Sequence, residues 1–184
     1  MGKRFLKNAI GESSMLDYAS ARRNMVEHQV NANRVTDQTV LGAMSDLPRE
    51  AFVPGPAKDI AYVDEVLALG GGRYMLEPMI LGRLLQAAEA GPDDVTLVVG
   101  CGAGYAAAVL ASVANTVVAL ENDKNLAEQA PRTLAELGID TVAVVDGPLD
   151  KGVPEQGPYD VIFFNGAVAF VPPRISDQLA EGGR

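Results

Sequence analysis

The chain has 184 residues, 48% hydrophobic and 21% charged, with a net charge of −9 from 24 acidic and 15 basic side chains. This size fits one domain with a full core, and the acidic balance excludes a general nucleic-acid binder, which needs a basic face. No apolar run approaches the ~20 residues of a membrane helix, no long apolar region follows the basic start to make a secretory signal, and a lone cysteine, Cys101, makes no internal disulfide, so a cytoplasmic protein is expected.

The polar stretch 1–14 predicts a flexible tail, with order beginning near Met15. Asp17 caps a predicted helix over 17–33, with Ala21, Met25, Val26 and Val30 at helical spacing, and Asp37 caps a second over 37–45, with Val40, Leu41 and Met44 inward. Pro48, Pro54 and Pro56 make 48–60 mostly loop, with a turn near 56–60, and Ala61 to Leu69 reads as extended or irregular. Gly70-Gly71-Gly72 is easily bent and lets a ligand come close, and Arg73, Tyr74 and Glu77 follow at once. Pro78 opens a helix over 78–90, with Met79, Ile80, Leu84, Leu85 and Ala88 as its stripe and Gly91-Pro92 as its end.

From residue 95 strands alternate with helices. Strands read at 95–99, 116–120, 141–145 and 160–164, and helices at about 104–113, 124–137 and 173–180. The strands are nearly continuous apolar runs, which predicts a parallel sheet covered on both faces, hence an α/β, three-layer Rossmann-like fold behind an N-terminal helical subregion. Gly138 is the expected C-cap of the second of these helices, and Pro131 is expected to kink it or delay its start. The expected division is one domain over 15–184, with a helical region over 15–92 and a nucleotide-type region over 93–184. Leu179-Ala-Glu-Gly-Gly-Arg184 reads as a helix end turning toward a further strand, and the last strands of the domain are expected to be missing from this chain.

Gly100, Gly102 and Gly104 form G-x-G-x-G between the first of these strands and its helix. A dinucleotide fingerprint needs its third glycine where Tyr105 stands, so the spacing favours S-adenosylmethionine, which has no pyrophosphate, over NAD. Glu121 closes the next strand, where an acid can take both ribose hydroxyls, and Glu121→Ala is expected to weaken cofactor binding by about 1–3 kcal/mol while leaving the fold intact. Asp146-Gly147 closes the third strand, as an adenine contact or an ordinary turn, and Asn165 closes the fourth as a liner of the reaction site. Cys101 is read mainly as a small residue that fits its loop. His28, the single histidine, has no neighbours spaced for a metal, so no metal site is expected.

With these motifs in place, the chain resembles the protein-L-isoaspartate O-methyltransferases, within the class I S-adenosylmethionine-dependent methyltransferases. The likeness runs over 17–184. It includes Arg22-Arg-Asn-Met-Val-Glu-His-Gln-Val, Val40-Leu-Gly-Ala-Met, Pro48-Arg-Glu-Ala-Phe-Val-Pro54 and Ala61-Tyr-Val-Asp64. It continues in the glycine loop, Pro158-Tyr-Asp-Val-Ile and Gln178-Leu-Ala-Glu-Gly-Gly. The resemblance implies methyl transfer to the side-chain carboxylate of L-isoaspartyl residues in damaged proteins, a repair reaction with protein or peptide partners.

Where the family usually has Gly-Gln-Thr-Ile-Ser-Gln-Pro, this chain has Gly72-Arg73-Tyr74-Met75-Leu76-Glu77-Pro78, so Tyr74 keeps a hydroxyl and Leu76 has none. Arg73 is placed to hold a carboxylate by a two-pronged contact, and Arg73 and Tyr74 are the candidate catalytic residues. The alternatives are an S-adenosylmethionine-binding paralogue with another acceptor or no catalysis and, more distantly, an NAD-linked oxidoreductase.

Overall fold

The computed structural model describes residues 17–184, so the tail expected over 1–14 and the start of order near Met15 lie outside the described residues. Helix α1, Tyr18–Met25, begins where the Asp17 carboxylate accepts from the Ser20 amide at 3.1 Å. The single helix expected over 17–33 changes pitch instead, into a π-helical turn at Val26–Val30 and a 3-10 turn at Asn31–Asn33. The Asn31 amide reaches back to the Val26 carbonyl, and this wider winding keeps Met25, Val26 and Val30 all buried. Helix α2, Gln38–Asp46, is capped by Asp37 and buries Val40, Leu41 and Met44, as its pattern predicts. The proline-punctuated stretch after it holds two 3-10 turns, Arg49–Phe52 and Gly55–Ile60.

Two short antiparallel strands follow, β1 (Leu67–Gly70) and β2 (Arg73–Met75), which the sequence does not announce as a hairpin. Its tip is the glycine triplet, with φ values of 98°, 57° and 76°, all in the left-handed region that glycine enters without strain. Helix α3, Pro78–Ala88, buries Pro78, Leu81, Gly82 and Leu85. The predicted stripe is therefore corrected, because Ile80 and Leu84 face solvent. Gly82 fixes this rotation: a Cβ there would lie 2.7 Å from Val30 Cγ1, so the helix packs its smallest residue against Val30. The helix also stops before Gly91-Pro92, at Glu89 with φ 48°.

The core of the second half is a four-stranded sheet of β3 (Val95–Val99), β4 (Thr116–Glu121), β5 (Val142–Asp146) and β6 (Val161–Phe164). The strand order is β5-β4-β3-β6 and all three pairings are parallel. Strands β4 and β5 extend the sheet to one side of β3 and β6 to the other, so the topology reverses between β3 and β6, the place where open α/β sheets bind ligands.

Helix α4, Tyr105–Ala111, links β3 to β4 and is buried from Tyr105 through Leu110. Its alanines let it lie between the sheet and the N-terminal helices, as an all-round apolar helix must. Helix α5, Lys124–Glu136, starts directly after its cap Asp123 and runs through Pro131, so the later start is not seen. Gly138 ends it with φ 71°. Strand β5 is half-exposed along its length, an edge strand rather than one covered on both faces. The helix expected over 173–180 is a single turn, α6 (Pro173–Ser176). The backbone leaves it because Gln178 and Ala180 bond to Tyr159 instead, the Tyr159 amide donating to the Gln178 carbonyl and the Ala180 amide to the Tyr159 carbonyl.

Alternation along the strands splits the core. Val98, Val117, Ala119 and Phe163 face the helices in the larger cluster. Leu97, Val99, Val118 and Leu120 face Val153, Tyr159 and Ile175 in the smaller one. No helix among the described residues is long and apolar enough to cross a membrane.

Candidate active site

The turn after β3 is built by glycine. Gly100, Gly102 and Gly104 have φ values of 75°, 59° and 100°, which side chains rarely tolerate. A Cβ on Gly100 would also lie 2.5 Å from Arg73 Nη2, and one on Gly102 2.9 Å from Leu69 Cδ1, so either would push the end of a side chain aside. Gly104 starts α4. Tyr105, at the position of a third dinucleotide glycine, is fully buried, with its ring edge-on to Phe52 at 5.4 Å between centroids. The position that would clear space for a pyrophosphate instead anchors α4 to the N-terminal region.

Glu121 ends β4 completely buried. One carboxylate oxygen accepts from the Gly102 amide at 2.7 Å and from Arg73 Nη2 at 3.1 Å. The other accepts from the Asn122 and Asp123 amides at 2.8 and 3.0 Å. The acid thus ties the glycine turn to its own strand end. This weighs against the expectation that Glu121→Ala leaves the fold intact, because removal would leave three buried or half-buried amides without their acceptor.

Arg73 reaches this point from the hairpin. Its guanidinium bonds Glu121, and its Nε is buried with no hydrogen-bond partner among the described residues. The tip of the hairpin meets the segment just past Glu121, where Gly71 lies against the Asp123 carboxylate that also caps α5. Strand alternation sends Tyr74 the other way, and its side chain is exposed. Arg73 and Tyr74, paired in the sequence reading, therefore face different surroundings.

A cavity of about 230 Å³ opens at the β3–β6 reversal. Gly100 and Asn165 line it from the strand ends, Arg73 from the hairpin, and Leu149, Phe164 and Phe170 supply apolar wall. A smaller cavity of about 10 Å³ sits beside it, bounded by Tyr74, Met75, Leu76, Cys101, Tyr105 and again Asn165. Asn165 is thus common to both cavities, and its side-chain amide donates to the Gly100 carbonyl at 3.0 Å. Gly147 donates to the Glu121 carbonyl at 3.0 Å, and Asp146, beside Glu121 in the sheet register, is exposed and outside the lining.

Sequence reasoning missed Leu149, Asp150, Phe164 and Phe170, all in the larger cavity's lining. An apolar run, Ala167-Val168-Ala169-Phe170-Val171, placed in a loop instead of a strand or helix, was the available signal. It also missed Arg49, which is buried with no acid partner among the described residues, donating from Nε to the Ala61 carbonyl at 2.7 Å and from Nη2 to the Leu76 carbonyl at 2.6 Å. Its guanidinium carbon lies 5.0 Å from the centre of the Tyr105 ring, and burial pulls its pKa down. Burial, with the Glu121 carboxylate adding to it, pushes the Cys101 thiol up to about 12, so it is a packed neutral thiol. His28 is exposed on the π-helical turn, and no group of residues able to hold a metal occurs among the described residues.

Over residues 20–184 the chain matches the family model described as Protein-L-isoaspartate(D-aspartate) O-methyltransferase (PCMT). A "Protein-L-isoaspartate O-methyltransferase 1" of Rhodopseudomonas palustris is 40% identical, over 91% of this chain and 68% of that protein. The corresponding protein of a Synechococcus species is 43% identical, over 90% of this chain and 68% of its own length. Among solved structures, a protein-L-isoaspartate O-methyltransferase superposes with a TM-score of 0.79 at 32% identity, covering 88% of this chain. The chain spans 53% of that structure's length. A Plasmodium falciparum structure in complex with S-adenosyl-L-homocysteine shares the fold, with a TM-score of 0.74 at 20% identity.

Proposed function

This chain belongs to the protein-L-isoaspartate(D-aspartate) O-methyltransferase family, and we propose from that premise that it methylates the side-chain carboxylate of L-isoaspartyl residues in damaged proteins, with S-adenosylmethionine as methyl donor. The observation that carries the reading is the cavity at the β3–β6 reversal, which brings Gly100, Arg73 and Asn165 into one lining. The cavity suits the donor: Gly100 of the glycine turn lines it, Leu149, Phe164 and Phe170 give it apolar wall, and Glu121 stands at the neighbouring strand end. Gly100, Gly102, Gly104, Glu121, Asn165 and the Gly147 turn are the residues we assign to holding it, with Asp146 at their margin. The donor supplies a methyl group already activated on a sulfonium. The acceptor is assigned to the hairpin side of this cavity, where Arg73 lies in its lining.

The protein's own task is then positioning. A carboxylate is ionised at neutral pH, so no side chain need remove a proton from it. Asn165, held by the Gly100 carbonyl, lines the same cavity and orients the reacting groups. Arg73 supplies the positive charge of the hairpin for the incoming carboxylate. With a single cysteine the chain has no internal disulfide, and we place the protein in the cytoplasm.

The test is methyl transfer to an isoaspartyl hexapeptide and to its aspartyl twin, followed as S-adenosylhomocysteine formed. Transfer to the first alone is expected, and transfer to neither at saturating donor overturns the reading. A second reading is favoured by one observation: Tyr74 and Leu76 replace the hydroxyl residues of the family pattern, and Tyr74 is exposed. On it, the same donor site serves a different acceptor, and small carboxylates are methylated in place of the peptide.

A further inference from the structure

The charge that Glu121 would offer a ribose is already taken. Both of its oxygens are engaged, and Arg73 stands between it and the larger cavity: Arg73 lines that cavity and Glu121 does not. The two groups have opposite chemistry. A ribose diol needs an acceptor such as Glu121, whereas a guanidinium offers only donors. An acceptor carboxylate needs the guanidinium, which is committed to Glu121. Arg73 is also poorly satisfied where it lies, since its buried Nε has no partner among the described residues, and it is carried on a hairpin whose tip is three glycines.

We propose that the Arg73–Glu121 ion pair is an internal latch coupling the two substrates: a ribose that takes Glu121 releases Arg73 to hold the acceptor carboxylate, and a carboxylate that takes Arg73 frees Glu121. The proposal rests on the methyltransferase reading given above. One contact that competes with both ligands makes their binding positively cooperative, and the coupling is reciprocal by thermodynamic necessity. Arg73 is then the residue through which the hairpin senses the donor site, and it contributes to specificity for a charged acceptor.

Calorimetry on the full chain with S-adenosylhomocysteine and an isoaspartyl hexapeptide, singly and together, reads this without turnover. In the wild type each ligand is expected to tighten the other by about fivefold, the scale of a partly buried ion pair. Arg73→Gln, which keeps a neutral polar side chain, is expected to bind S-adenosylhomocysteine several-fold more tightly, to bind the peptide more weakly, and to lose the coupling. A residue with a merely structural role would not tighten one ligand while loosening the other. Wild-type binding of both ligands without coupling overturns the latch, whether or not the variant folds. Unchanged or weaker S-adenosylhomocysteine binding by Arg73→Gln overturns it equally. A wild type that binds no S-adenosylhomocysteine overturns the methyltransferase reading itself, and the latch with it, which separates the two failures.

Discussion

The Gly102 amide donates to Glu121 across 2.7 Å, so the acid that ends β4 holds the turn that ends β3. On the function proposed above, the donor site and a piece of the fold share this hydrogen bond. Glu121→Ala should therefore lower donor affinity and stability together. We expect a loss of about 2–4 kcal/mol in unfolding free energy, the scale for leaving several buried amides unpaired. Urea unfolding beside calorimetry with S-adenosylhomocysteine checks both, and a variant of wild-type stability would show that the amides find other acceptors.

Gly102→Ala should be costly out of proportion to one methyl group. Its φ of 59° disfavours a side chain by roughly 1–2 kcal/mol, and the new Cβ would press on the end of Leu69. Leu69→Ala in the same chain relieves the contact but not the backbone strain. Leu69 is itself buried in the core, so the double variant should be less stable than Gly102→Ala but less destabilised than the sum of the two single changes, as a double-mutant cycle will read.

Asn165→Ala removes the side chain common to both cavities and leaves the Gly100 carbonyl without its 3.0 Å partner. A fall of about 10²-fold in kcat/KM for the isoaspartyl peptide is expected, with a smaller change in S-adenosylhomocysteine affinity, because misplacement by ~1 Å costs that much in a positioning site. Equal losses in both quantities would make Asn165 a donor contact only.

Alkaline pH should weaken the fold. Cys101 is raised from 9.0 to about 12, and Tyr159, fully buried with its hydroxyl 2.7 Å from the Val153 carbonyl, is raised from 10.0 to about 12, in both cases mainly by burial. A group raised in the folded state holds its proton more tightly there than in the unfolded chain. Its stabilisation is complete below the unfolded value and is lost as pH climbs from about 9 toward 12. By pH 10 the Cys101 contribution alone should be of order 1 kcal/mol down. Cys101→Ala should flatten the decline between pH 9 and 10 in thermal melts, before Tyr159 begins to count.

Arg49→Met should test a buried cation that has no acid. The change keeps much of the side-chain volume, but it strands the carbonyls of Ala61 and Leu76. A stability loss of about 2–4 kcal/mol is expected. Leu76 directly follows β2 of the hairpin, the side assigned to the acceptor, so KM for the peptide should rise more than the dissociation constant of S-adenosylhomocysteine. The ratio of the two changes separates a local effect on the acceptor side from general loosening.

The nucleotide half was legible because its signals are local. Apolar runs separated by glycine turns and capped helices gave β3, β4 and β6 their places, and Asp17, Asp37 and Asp123 cap as their residue type predicts. What stayed hidden depends on partners far along the chain. The hairpin strands span four and three residues, too short to show a period. The rotation of α3 is set by Gly82 meeting Val30, which no periodicity within the helix encodes. Arg73 and Tyr74 are adjacent letters of one motif, and only the strand geometry separates them. The larger cavity takes wall residues from the loops after β5 and β6, whose meeting is a property of the strand order.

The glycine-tipped hairpin carries a last consequence, one for descent. Its two short strands pair only with each other, and neither joins the parallel sheet. Substitutions there leave the ladder of the larger sheet untouched, but they reach the donor side through Arg73, whose guanidinium bonds Glu121, and the core through the buried Met75. The exposed Tyr74 is the position of this segment most open to change.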